Sequence, residues 1–218
     1  MKPAHPSGFT LIEVLAVAAL IAVLAAVLVG GLGGSGESAA IQGAQTSLAN
    51  LLTVARTQAA ATGRKTRLLV AVDANQPESF LRRIVLQLAR EAGPSPADWD
   101  TIAEIALPDG AFVLPAALGS PRGLVDSPEM WKRESDRTAE LCSDLFQGQT
   151  LAVSLPGEMA ALACTGVAFT PNGTLAPLGN GTPPKGYLVV AGGNRRPPGS
   201  FAAGESPVVL RNPDRVKG

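Results

Sequence analysis

Histidine and cysteine are nearly missing from this chain of 218 residues, and their scarcity removes whole classes of chemistry. The one histidine, His5, stands within the first eight residues, a segment expected to be removed (below), so a Ser-His-Asp or Cys-His arrangement cannot be built from what would follow. The two cysteines, Cys142 and Cys164, lack C-x-x-C spacing and have few candidate co-ligands, which argues against a zinc site or a thioredoxin-like redox motif. Aromatic residues make up only 4% of the chain. Net charge is also absent, with 18 basic residues against 18 acidic ones, so global electrostatics gives no reason to expect nucleic acid or an anionic surface as a partner. No catalytic residue, cofactor site or metal site is expected. Asp98 with Asp100, and Glu134 with Asp136, are the nearest approach to paired carboxylates, and they read as solvated loop charges.

What is present in quantity is Ala, Val and Leu, with 24 glycines and 18 prolines that suit short strands joined by turns. Once a short leader and an apolar anchor are set aside, enough chain is left for one folded unit. From Val14 to Gly36 no residue is charged, and the run is long enough to cross a hydrocarbon layer, which takes roughly 20 residues for about 30 Å. A secretory signal peptide would place a small-residue cleavage site after this run, and residues 30–34 lack an A-x-A pattern.

In front of the run stand the polar leader MKPAHPSG and then Phe9-Thr10-Leu11-Ile12-Glu13. A carboxylate at the rim of an apolar span is costly, at roughly 2.5–3.5 kcal/mol for an acidic side chain at the helix centre and less near the interface, so Glu13 needs a partner. Cleavage after Gly8 would supply one, because it frees an α-amino group on Phe9 with a pKa of about 8, one helical turn from Glu13. In a bundle of staggered subunits the amine of one chain meets the carboxylate of the next equally well.

The segment GFTLIEVLAVAALIAVLAAV resembles the N-terminal signal of type IV pilins and type II secretion pseudopilins. That resemblance implies a prepilin peptidase that cuts after Gly8, N-methylation of Phe9, and assembly guided by Glu13. It further implies a subunit of a type IV pilus or a type II secretion pseudopilus, and no enzymatic activity. The expected partners are other pilin or pseudopilin subunits, prepilin peptidase, an inner-membrane assembly platform and membrane lipid. Many members of that family have a proline where this chain has Gly30, followed by Gly31, Gly33 and Gly34, so a loosening or kink of the helix is expected there. Lys2 precedes the span, and no basic residue follows it until Arg56, which predicts a cytoplasmic N-terminus and a periplasmic globular part at the inner membrane.

The resulting organisation is a leader at 1–8, a transmembrane and assembly segment at 9–36, an amphipathic helical continuation at 37–63 and a β-rich globular domain at 64–218. The fold class is α+β, a long N-terminal helix packed on small antiparallel sheets. Ile41, Ala44, Leu48, Leu51, Leu52, Ala55 and Ala59 share one helix face, and Gly63 is the expected stop. Strands are expected at 66–73, 80–89, 99–107, 111–114, 150–155, 166–170, 175–177, 187–191 and 207–211. The second of these is ambiguous with helix, and a short helix is expected within 129–146 with Trp131, Leu141 and Leu145 inward. Pro171-Asn172-Gly173-Thr174 carries the Asn-Gly pair of tight hairpins.

Ala55-Arg56 followed by Ala59, Gly63 and a strand, then Leu107-Pro108-Asp109-Gly110, then Val167-Ala168-Phe169-Thr170-Pro171-Asn172-Gly173, in that order, are similar to H-type minor pseudopilins and FimT-type minor pilins. The latter similarity implies an alternative role, DNA binding through basic residues at Arg64, Lys65, Arg67, Arg82, Arg83, Arg195, Arg196, Arg211, Arg215 and Lys217. Phe201 is the one aromatic residue within the C-terminal group, so scattered surface charge is the favoured reading. Outside the cytoplasm Cys142 and Cys164 could bridge, closing a loop of about twenty residues for roughly 3 kcal/mol, or remain two buried thiols.

Overall fold

A computed structural model describes residues 11–92, 98–114, 123–125, 144–146, 149–179, 184, 188–202 and 205–211, with only the backbone between 11 and 35. The chain divides into two compact units, Met1–Ser38 and Ala39–Gly218. Helix α1 spans Leu11–Thr62 and passes through Gly30, Gly31, Gly33 and Gly34 without a break in its helical assignment. The glycines therefore do not interrupt the helix. Each glycine costs about 1 kcal/mol relative to alanine, and the hydrogen-bonded turns on either side carry the helix through.

Within the second unit, Ala44, Leu48, Ala55 and Ala59 of α1 are buried and Ile41, Leu51 and Leu52 are half-buried, as the spacing predicts. The alanines bring the helix backbone close to its neighbour, and the Thr66 hydroxyl donates to the Ala55 carbonyl at 2.8 Å. Gly63, with φ at +64°, ends the helix in the left-handed conformation that a residue with a Cβ adopts only at a cost.

The larger sheet follows the order β3-β2-β1-β6-β5, with β7 also paired to β6, and every pairing in it is antiparallel. Its strands are β1 (Thr66–Ala71), β2 (Arg83–Ala89), β3 (Trp99–Ala106), β5 (Leu151–Val153), β6 (Leu162–Phe169) and β7 (Leu175–Ala176). The smaller sheet, β4-β8-β9, is built from Ala111–Val113, Val190–Arg195 and Val208–Leu210. Central strand β1 is covered on both faces. Leu68 and Val70 join α1, Ile84, Leu86, Val167 and Phe169 in one core, while Leu69 and Ala71 join Val85, Cys164 and Ala168 in a second. That double burial is why its sequence is a nearly unbroken apolar run.

Five expectations shift. Strand β2 begins at Arg83 instead of residue 80, because Phe80–Arg82 belong to a turn in which Arg83 N–H reaches back to Ser79 O at 2.9 Å. It is a strand, which settles the helix ambiguity. Strand β6 begins four residues early, at Leu162, because the neutral stretch before Gly166 pairs with β5 as well as β1. Strand β8 (Val190–Arg195) lies further along the chain than the expected 187–191, since Gly192, Gly193 and Asn194 pair despite low strand propensity. The β6–β7 turn closes through Gly173 N–H to Thr170 O at 2.8 Å, so Pro171 and Asn172 occupy its centre. Gly173, at φ +71°, follows the turn as a bulge residue and is not its second corner. Of the expected helix within 129–146, a single 3₁₀ turn, Asp144–Phe146, is described, with Leu145 and Phe146 buried. Trp131 and Leu141 lie outside the described residues.

Candidate functional site

Gly8 and Phe9 precede the described residues. Glu13 is the third residue of α1, so its backbone is helical from the point where the apolar run begins. Among the residues whose side chains are described, no helix is long and apolar enough to cross a membrane. The uncharged run 14–36 lies almost wholly ahead of them, in the part of α1 described by backbone alone.

The second and third internal motif fragments each touch the second half of α1, one at Gly43 and the other at Arg56. The Arg56 side chain lies against Gly173, where a Cβ would stand 3.2 Å from Arg56 Cγ. Pro108 reaches Gly43, where a Cβ would be 3.7 Å from Pro108 Cγ, and Leu107 enters the same core as Ala55.

Among the described residues most of the arginines lie against carboxylates of the protein itself, and Arg82 and Arg195 share one of them, Asp109. Arg82 pairs with Asp109 at 2.7 Å, Arg83 with Glu104 at 2.6 Å and also with Glu158, and Arg90 with Asp100 at 2.7 Å. Arg195 joins Asp109 at 3.0 Å and Glu78, and Arg196 joins Glu205 at 3.3 Å. Arg64 donates to the Arg90 carbonyl at 3.1 Å. Arg215 and Lys217 lie outside the described residues. Most of these cations are therefore spent on the protein's own carboxylates and carbonyls.

Cys164 is a buried free thiol on β6, pushed up to about 12 by desolvation. Its expected bridging partner, Cys142, lies outside the described residues. Asp100 is occupied by Arg90, Glu134 and Asp136 lie outside the described residues, and among the described residues no three His, Cys, Asp or Glu side chains gather as a metal site.

One cluster escaped sequence reasoning. Arg67 Nε donates to Gln87 Oε1 at 2.7 Å, its guanidinium sits 4.1 Å from the centre of the Trp99 ring, and Gln87 Nε2 donates to Thr101 Oγ1 at 3.1 Å. Burial pushes the Arg67 guanidinium down to about 10, against a smaller upward pull from Cys164. Nothing in the spacing of residues 67, 87 and 99 announces this, because the sheet register alone brings them together.

Residues 4–29 match the prokaryotic N-terminal methylation motif. The match covers the Gly8–Phe9 junction and Glu13, and it supports a type IV pilin-like subunit that is processed as a prepilin and assembles with other such subunits. The motif is one of structural subunits, and it spans only 26 of the 218 residues. No curated protein and no solved structure matches the chain.

Proposed function

We propose that the chain is a minor pseudopilin-like filament subunit of a type II secretion pseudopilus or a type IV pilus. It is inserted in the inner membrane with its N-terminus cytoplasmic, cut between Gly8 and Phe9 by prepilin peptidase, and N-methylated on Phe9. The single observation that carries the reading is the methylation motif at residues 4–29, set at the head of a helix that runs on to Thr62. In the filament the freed amine of Phe9 neutralises Glu13 of the same or an adjoining subunit, which sets the stagger between copies. The order of the three internal motif fragments along the chain supports the minor-subunit form. The alternative, a DNA-binding minor pilin, draws no support from arginines already paired with carboxylates.

Mass spectrometry of the protein recovered from membranes tests the reading directly. N-methyl-Phe9 is expected as the first residue. Recovery with residues 1–8 attached, from cells whose peptidase is active, overturns it. Glu13→Val is expected to be processed and inserted normally but to enter filaments poorly.

A further inference from the structure

The cluster around Arg67 remains outside the assembly reading, and its chemistry points outward. Thr66 turns to α1, so Arg67, its neighbour on β1, projects from the opposite face of the larger sheet. There it lies in register with Gln87 on β2, and Gln87 with Thr101 on β3. Together they form a polar row across three strands, running to the edge of the sheet. The guanidinium is fixed twice, by the hydrogen bond from Nε to Gln87 and by the Trp99 ring beneath it. Among the described residues nothing else bonds the Nη nitrogens, the rigid fork that takes a carboxylate in two parallel hydrogen bonds.

Arg67 differs in this from its neighbours. Arg82, Arg83 and Arg90, on or beside these strands, each hold a carboxylate, and Arg64 donates to a backbone carbonyl, whereas among the described residues no carboxylate pairs with Arg67. A half-buried cation without a counter-charge has given up hydration with no ion pair in return. Trp99 belongs to β3, the last strand in the sheet order, and among the described residues no strand pairs with the outer edge of β3. Edge strands of soluble proteins are commonly blunted or covered, and an open one is a template for an added strand. Ile102, 41% exposed at the irregular point of the β2–β3 register, offers an apolar contact on the same strand.

We propose that Arg67, seated on Trp99, receives a carboxylate carried by an extended segment of a partner polypeptide that adds to the outer edge of β3. The backbone of β3 supplies the ladder hydrogen bonds, and Arg67 selects for an acidic side chain on the face shared by Trp99 and Thr101. The partner is thus an acidic strand. This surface is independent of the N-terminal segment, so the inference stands or falls apart from the filament reading.

The test uses the full chain in detergent micelles, with Trp131→Phe leaving Trp99 as the sole tryptophan. The probe is a capped pentapeptide, Thr-Val-Glu-Val-Thr, compared with the same peptide carrying Gln for Glu. The expected result is a saturable change in Trp99 emission with the Glu peptide, at least tenfold weaker with the Gln peptide. It should weaken as salt rises, and by at least tenfold in Arg67→Gln; Arg67→Lys, which keeps the charge but loses the fork, should not restore it fully. Should Arg67→Gln fail to fold, the comparison of the two peptides on the otherwise unaltered chain still decides. Equal binding of both peptides, no saturable change, or equal competition by duplex DNA or inorganic phosphate overturns the proposal.

Discussion

Asp109, in the turn between β3 and β4, holds together parts of the fold that are remote in sequence. Its carboxylate takes Arg82 at 2.7 Å and Arg195 of β8 at 3.0 Å. The Arg82 side chain is only 9% exposed, with its other end donating to the Leu107 carbonyl and the Phe112 ring 6.0 Å away. Asp109→Ala leaves that cation without a counter-charge. Removing one member of a fully buried pair costs about 3–5 kcal/mol, whereas an exposed pair is worth about 0–1 kcal/mol. Asp109 itself is 78% exposed, so water replaces part of what is lost, and the expected cost is about 2 kcal/mol. At roughly 2–4 °C per kcal/mol for a domain of this size, the melting temperature should fall by roughly 4–8 °C. Urea denaturation followed by circular dichroism measures this on the globular unit. A double-mutant cycle with Arg82→Met should return a coupling energy above about 1 kcal/mol, and 1 M salt should reduce the Arg195 share most. A loss below about 0.5 kcal/mol for Asp109→Ala, or no coupling to Arg82, refutes the reasoning.

The pH dependence of stability should carry the mark of Cys164. Its thiol is raised to about 12 in the fold, whereas an unfolded thiol titrates near 9, so above pH 9 the unfolded chain binds fewer protons and stability falls as pH rises toward 12. Comparison with Cys164→Ala isolates that slope, and slow alkylation of the native protein, with fast alkylation after denaturation, checks the same burial. Gly166→Ala should cost about 3 kcal/mol or more, or prevent folding, because its Cβ would stand 2.0 Å from the Leu68 carbonyl oxygen; denaturant midpoints or soluble yield report it. Gly173→Ala should cost about 1–2 kcal/mol, through the positive φ and the crowding of Arg56, as read by thermal melting.

Helix and strand patterns were legible wherever one face is buried. The α1 stripe from Ala44 to Ala59, the stop at Gly63 and strands β1, β3 and β4 follow from period and punctuation alone. The residues that misled had their state set by tertiary partners. Phe80 and Leu81 look like the start of a strand, yet Leu81 sits at φ +59° because its N–H bonds Ala71 O and its carbonyl takes Val113 N–H, while its side chain is fully buried. Gly192 and Gly193 look like a loop, yet they pair because β4 and β9 flank them. For the assembly segment the sequence says more than the fold does, since the proposed cleavage and the proposed pairing of Glu13 depend on covalent chemistry and on other copies. The Arg67 cluster shows the opposite case. Its members are 20 and 12 residues apart along the chain, and only the register of β1, β2 and β3 makes them neighbours.

The pairing of β1 with β6 also constrains how the subunit matures. Thr66 meets Phe169 and Ala71 meets Cys164, so the middle of the larger sheet is completed by a strand made about a hundred residues after its neighbour. Until that strand arrives, β1 and β2 form a hairpin with an open side and apolar residues on both surfaces, the kind of species that associates with its own copies. Any helper that accompanies the nascent chain should therefore be needed until Phe169 is delivered, and a product truncated before Leu162 should aggregate instead of folding.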